Sequence, residues 1–268
     1  MTEAFYIYCI FRQQGLPSLE GKGVDLRNPL VVYPYKDLAV LMSRISLAEF
    51  TGEAGEENLQ DVEWLGPRAL RHEKIIEAVL RHAPLIPAPF GVIFSSLEKV
   101  DRLLEMHNHT IREFLAAAAD REEWSVKMFL DRKRVEDVLF AAELDRRSGD
   151  LSQSSPGKRY FEEKKIRAGL ESDVRERVKT ILEETISDLE MCGADFRERR
   201  LLSREATGKD MEMVLNGAFF VDRRRMEDFR EILAKKQDAC ADEGFTFELS
   251  GPWPPYSFSP TLIQEGSA

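Results

Sequence analysis

The spacing of apolar residues changes along this chain, and each change predicts an element. Ala4 to Phe11 is an unbroken aromatic and β-branched run that predicts a buried strand, and Gly15, Pro17, Gly21 and Gly23 predict the loop after it. Leu30 to Tyr33 and Leu38 to Ile45 predict a hairpin turning at Pro34-Tyr35-Lys36-Asp37. Residues 46–61 are polar and acidic, with Gly52, Glu53, Gly55, Glu56 and Glu57 close together, and predict a mobile loop or a short helix. Pro67 fits the first turn of a helix, where its missing N–H is not needed, and His72, Ile76, Val79 and Ala83 then fall on one face. Leu85 to Phe94 is apolar but broken by Pro87 and Pro89, which predicts an edge strand or two short extended pieces. Ser95 and Glu98 have capping-box spacing, and Leu97, Val100, Leu104, His107, Ile111, Phe114 and Ala118 predict one continuous helical stripe behind them.

In the second half, Glu123 to Leu130 predicts a strand and Val135 to Leu144 a short helix, followed by a Ser/Gly/Pro loop over 148–157. Ile166, Leu170, Val174, Val178, Ile181, Leu182, Ile186 and Leu189 recur at helical steps up to Gly193. Such a helix is on the order of 40 Å long, more than one small sheet covers, so part of its stripe must meet a neighbouring helix, the first domain or another protein. Phe196 to Ala206 and Met211 to Val221 predict a hairpin around 207–210, Met226 to Asp242 an amphipathic helix, and Phe245 to Ser250 a last strand. From Pro252 on, three prolines set Trp253 and Tyr256 on a stiff extended segment with little entropy left to lose on docking.

This order predicts an α+β protein: a mixed α/β domain over 1–119, a ferredoxin-like βαββαβ domain with an enlarged helical crossover over 120–250, and a Pro/aromatic tail over 251–268. With 268 residues and 43% hydrophobic content the chain can bury two cores. A formal net charge of -10 disfavours nonspecific attraction to nucleic acid or to an anionic membrane. No run approaches the roughly 18–20 apolar residues of a membrane span. Cys9, Cys192 and Cys240 are odd in number and lie in apolar stretches, as buried thiols do in a reducing compartment, so a cytoplasmic location is expected.

Candidate chemistry is sparse. Gly21-Lys22-Gly23 lacks the third glycine of a dinucleotide fingerprint, and the chain contains no phosphate-binding loop, nucleophile elbow, Cys-x-x-Cys or His-Glu-x-x-His pattern. His72 and His107 sit on apolar helix faces, as structural histidines do. No catalytic residue, cofactor or metal is therefore expected. Gly217-Ala218-Phe219-Phe220-Val221 has some likeness to the aromatic strand of an RNA-binding βαββαβ domain, with a core strand as the plain alternative. A small-molecule enzyme with a site between the domains also stays open. The tail itself has two readings, a clasp on its own domain or a partner site formed by Trp253, Tyr256 and Phe258.

Several stretches carry a resemblance. The N-terminal strand, Trp64-Leu65-Gly66-Pro67-Arg68-Ala69-Leu70-Arg71-His72-Glu73, Pro89-Phe90-Gly91-Val92-Ile93-Phe94-Ser95-Ser96, Glu122-Glu123-Trp124-Ser125-Val126-Lys127 and Leu249-Ser250-Gly251-Pro252-Trp253-Pro254-Pro255-Tyr256-Ser257-Phe258 run in order over nearly the whole chain. Together they resemble the gas vesicle GvpF/GvpL family. The resemblance implies a non-catalytic accessory protein of gas vesicle assembly, located in the cytoplasm or on the vesicle. It would engage the apolar major shell protein and other accessory proteins, and neither nucleic acid nor membrane.

Overall fold

The computed structural model describes residues 3–13, 19–147 and 155–262. The predicted loop residues Gly15 and Pro17, most of the 148–157 loop and the tail beyond Leu262 lie outside the described residues. The protein has a mixed α+β architecture with two antiparallel sheets, and it divides into two compact units, residues 1–123 with 253–268, and residues 124–252.

The first unit is built on β1 (Glu3–Arg12), β2 (Leu30–Tyr35), β3 (Leu38–Ser46), β4 (Leu85–Pro87) and β5 (Ile93–Phe94), in the order β2-β3-β1-β4 with β5 also on β1. The prolines act as expected, splitting the 85–94 run into two short strands along one side of β1. A register shift between Ile7 and Cys9 inverts the alternation of β1, so Ala4, Tyr6 and Tyr8 share a face with Cys9 and Phe11, while Ile7 and Ile10 take the other. The unit therefore has a core on each side of the sheet. The aromatic side packs against α2 (Val62–Leu80) through Ile75, Ile76 and Val79. The aliphatic side, Ile7, Ile10, Leu38, Val40 and Met42, packs against α3 (Leu97–Met106) and α4 (Asn108–Ala117).

Three expectations need correction here. Pro67 lies inside α2, because Asp61 caps the helix earlier by accepting from Glu63 N, and the fold tolerates one lost backbone donor. Ser96 rather than Ser95 is the N-cap of α3. The single long stripe is two helices meeting at His107, whose backbone is non-helical; the break lets Val100 and Leu104 on one side and Ile111 and Leu115 on the other enter the same core. The acidic stretch contains a helix, α1 (Gly52–Gln60), with Gly55 so close to the Phe50 backbone that a Cβ there would lie 2.4 Å from its carbonyl carbon.

The second unit has the strand order β7-β8-β6-β9, with β6 (Arg121–Leu130), β7 (Asp195–Glu198), β8 (Glu212–Asp222) and β9 (Phe245–Trp253). Between β6 and β7 run α5 (Arg132–Arg146) and the 36-residue α6 (Pro156–Met191). Along α6, Ile166 and Leu170 are buried near α5, with the Arg167 guanidinium 4.1 Å over the Phe140 ring, and Val174, Ile181 and Leu189 enter the sheet core. The excess helix length is thus met by the preceding helix. The hairpin expected over 196–221 is looser than its apolar pattern predicts: β7 is only four residues long, and a short helix, α7 (Arg204–Thr207), occupies part of the connection to β8. Helix α8 (Met226–Cys240) closes the core with Phe229 and Leu233.

Candidate functional site

Tyr6 and His72 place a polar network inside the aromatic core of the first unit. His72 is on the sheet-facing side of α2 and Tyr6 on the inner face of β1, and both are fully buried. The carbonyl of Ala88 is only an acceptor, so His72 Nε2–H donates to it at 3.0 Å. Nδ1 is then the acceptor for the Tyr6 hydroxyl at 3.1 Å, and the Tyr6 oxygen accepts from Gly91 N at 3.0 Å. Burial holds His72 down at about 4, against 6.5 for a free imidazole, and pushes the Tyr6 phenol far up. Beside it Tyr8 shares a 2.9 Å hydrogen bond with Ser43 Oγ and accepts from Val24 N at 2.8 Å; burial pushes its phenol up to about 12.

The tail closes over this network. After the cis Gly251–Pro252 bond, Pro254 and Pro255 are buried and the chain turns, with Tyr256 N donating to Pro254 O at 2.7 Å and Ser259 N to Pro255 O at 2.9 Å. The extended rod expected from the prolines is therefore a turn from Pro254 on, since the buried proline carbonyls find donors two and four residues ahead. Tyr256 donates its hydroxyl to Glu73 Oε1 at 2.8 Å and lies 3.4 Å from His72 Nε2. Burial, then the Glu73 charge, push its phenol strongly up, and burial in turn raises Glu73. One residue on, Ser257 donates its backbone N and its hydroxyl to the two oxygens of the buried Glu123 carboxylate, each at 3.0 Å. Two carboxylates from distant parts of the chain thus hold adjacent tail residues.

Beyond these anchors Tyr256 packs on the aromatic side of the sheet and Leu262 on the aliphatic side, so the tail wraps the edge formed by β4. A half-enclosed cavity of about 160 Å³ lies there, lined mainly by Ile7, Ile10, Ile86, Leu103, Pro260 and Leu262. The buried Ser259 hydroxyl finds no hydrogen-bond partner among the described residues. Of the three expected site residues, Tyr256 is engaged inside the first unit, Phe258 is half-buried, and Trp253 remains 40% exposed. Glu73, Glu123 and Ser257 were not anticipated as a set; hydrophobic periodicity carries no signal for hydrogen bonds across 134 and 183 positions. They do, however, fall within the stretches that carry the family resemblance.

Other candidates resolve into structure. His107 joins α3 to α4, and no group of three or more His, Cys, Asp or Glu side chains among the described residues is placed to hold a metal ion. Ala218, Phe219, Phe220 and Val221 are all buried in β8, so the strand with some likeness to an RNA-binding motif is core. No described helix is long and apolar enough to cross a membrane.

Fold and site define a two-unit α+β protein whose most elaborate feature is a tail fastened over a buried aromatic network. The family model described as "Gas vesicle synthesis protein GvpL/GvpF" matches residues 4–260, and the chain belongs to that family. It is 23% identical to gas vesicle protein L of Streptomyces sp. (strain CB03234), covering 95% of this chain and 92% of the relative. It is 25% identical to gas vesicle protein L1 of Halobacterium salinarum, covering 96% and 90%. The crystal structure of the gas vesicle protein GvpF from Anabaena sp. PCC7120 superposes with a TM-score of 0.67 at 21% identity, covering 96% of each chain.

Proposed function

We propose that this chain is a non-catalytic accessory protein of gas vesicle assembly, acting from the cytoplasm or on the vesicle, that binds the apolar major shell protein and other accessory proteins. One observation carries the reading: His72 and Glu73, Glu123, and Tyr256 and Ser257 come from separate stretches of the family resemblance, and all meet at the tail. Family-bearing residues thus build one surface element rather than an open reaction centre. The titratable groups within it are committed to one another and to backbone groups, which supports a binding role. A shell subunit that polymerises through apolar surface needs a cover while in solution, and an acidic carrier with a pre-ordered aromatic face loses little entropy on docking. We assign that face to Trp253 and Phe258, with Tyr256 as the anchor beneath them. The second unit is, in the same reading, a ferredoxin-like domain with a helical insertion in its first crossover; its strand order supports this.

Co-expression with the major shell protein, followed by sedimentation and pull-down, tests the function. A complex that stays in the supernatant is expected, and Trp253→Ala should weaken it at least tenfold under conditions where the variant remains folded by circular dichroism. Shell protein that pellets alone at every ratio would overturn the carrier role. Binding unchanged in Trp253→Ala with Phe258→Ala would overturn the assignment of the face.

A further inference from the structure

Two surface patches, one in each unit, set large exposed apolar side chains beside a cluster of charge, basic in one and acidic at the near end of the other. In the second unit the start of α6 presents Tyr160 and Phe161, 64% and 70% exposed, their rings edge to face with centroids 6.0 Å apart. Lys158, Lys164 and Lys165 are exposed around them. The carboxylates of the same stretch are already taken, Glu162 by Arg147 and Glu163 by Arg159. The tip is therefore a local basic and aromatic exception on a chain of net charge -10.

In the first unit, α1 and the start of α2 carry exposed Glu53, Glu56, Glu57, Asp61 and Glu63, with no Lys or Arg between Gly52 and Gly66. Among these acids stand Val62, 79% exposed, and Leu59 at the end of α1; Leu70, 57% exposed, lies about two turns further along α2, where Arg68, Arg71 and the exposed Lys74 are its neighbours. Val62, Gly66 and Leu70 are spaced by four along α2, and nothing lies within 4 Å of where a Gly66 Cβ would be. The result is an apolar ridge with a notch, acidic around its Val62 end and basic beyond Leu70.

Bare apolar patches rimmed by charge mark interaction surfaces, and the sign of the rim selects the partner. We infer that the basic aromatic tip of one copy docks on the acidic ridge of a second copy. Tyr160 and Phe161 meet Val62 and Leu70, and Lys158, Lys164 and Lys165 face Glu53, Glu56 and Glu57. Since the two surfaces differ, the contact is head to tail and propagates into open chains unless its rotation closes a ring. Two rings and a few aliphatic side chains place it among small interfaces, below about 1,200 Å² in total, so association is weak and concentration-dependent.

Sedimentation velocity on the full chain, from micromolar to near-millimolar concentration, tests this. The mass should climb past that of a dimer at low salt, and association should weaken at least tenfold at about 0.5 M salt, where the screening length is roughly 4 Å. Tyr160→Ser with Phe161→Ser should be monomeric alone, as should Val62→Ser with Leu70→Ser. Mixed one to one, the two variants should pair and stop at two, because each retains the face the other has lost. A second pair avoids any effect of the apolar changes on folding: Lys164→Glu with Lys165→Glu should abolish self-association, and mixing with Glu56→Lys, Glu57→Lys should restore pairing. A wild-type chain that stays monomeric throughout, or variants that fail to complement, would overturn the inference.

Discussion

The two units cover a sheet with helices, yet they bury different chemistry. At the centre of the first, aromatic side chains carry polar atoms that are bonded to one another: Tyr6 to His72, His72 to Ala88 O, Tyr8 to Ser43, and Tyr256 to Glu73. The second packs Val126, Met128, Val174, Ile181, Phe219 and Phe229 with few polar groups and places its strongest charge pairs outside the core, such as Arg177 with Glu243 and Lys236 with Asp188. An apolar core tolerates any side chain of similar shape, whereas a hydrogen-bonded core fixes which donor meets which acceptor. The first unit is the one that must hold a tail in a defined place, and its polar core supplies that register. Stability in the second unit should accordingly follow volume, and in the first it should follow protonation.

The largest effect expected from a single change is in the apolar core. Phe219 is fully buried against Phe196 and Phe229, with ring centroids 5.0 and 5.5 Å away. Phe219→Ala should cost about 3–5 kcal/mol, since the lining of two other rings cannot collapse into the space. Hydrogen exchange read by mass spectrometry should show the loss in peptides from β8 and α8. A loss below about 1 kcal/mol would mean that this core is loosely packed and the contrast drawn above is wrong.

Acid should then act on the other unit. His72 is held at about 4 when folded and returns to 6.5 when unfolded. Between these values the unfolded chain binds the extra proton, so stability is complete above pH 6.5 and falls as the pH drops toward 4. The loss is on the order of 3 kcal/mol. Glu73 opposes it: burial raises its carboxyl, so its unfavourable contribution, present at higher pH, is relieved on acidification toward the usual carboxylate value. A net loss confined to peptides of β1 and α2 is expected, with β8 and α8 following only at lower pH. His72→Leu should be less stable at neutral pH, because Tyr6 and Ala88 lose their partner, and it should not lose stability across that window, keeping only the small opposite rise from Glu73. A wild-type profile with no fall between pH 6.5 and 4 would show that His72 is not the titrating group.

This contrast was only half visible in the sequence. Strands β1 to β3, the helix face of His72, Ile76 and Val79, and the long stripe of α6 were legible because periodicity reports burial directly. The bulge in β1 was not, since a run of eight apolar residues reads the same in either register. The break at His107 was not, because both halves keep one stripe. The tail was legible as stiff and aromatic, and a clasp on its own domain was one of its two readings, but the groups that fasten it were not legible. Glu73 and Glu123 look like any other acids in a chain with 48 of them, and only the fold brings them to Tyr256 and Ser257. The resemblance flagged the right stretches without saying that they meet.

The smallest effect is the one that separates surface charge from buried polarity. Arg177 holds Glu243 with two hydrogen bonds, at 2.7 and 2.6 Å, and both side chains are about a third to a quarter exposed. Two-point geometry puts this pair at the upper end of what solvent-facing ion pairs contribute, about 1 kcal/mol. Water and salt still reach it, so the contribution should shrink with ionic strength. Arg177→Met keeps the aliphatic stem against the helix surface and removes only the charge. The expected loss in chemical denaturation is therefore about 1 kcal/mol at low salt and indistinguishable from zero near 1 M salt. The buried links of Tyr6 and His72, lacking both formal charge and solvent, should show no such dependence in a parallel Tyr6→Phe variant. If the Arg177 variant lost several kcal/mol independently of salt, the second unit would also depend on a desolvated polar contact, and the division between the two units would fail at that point.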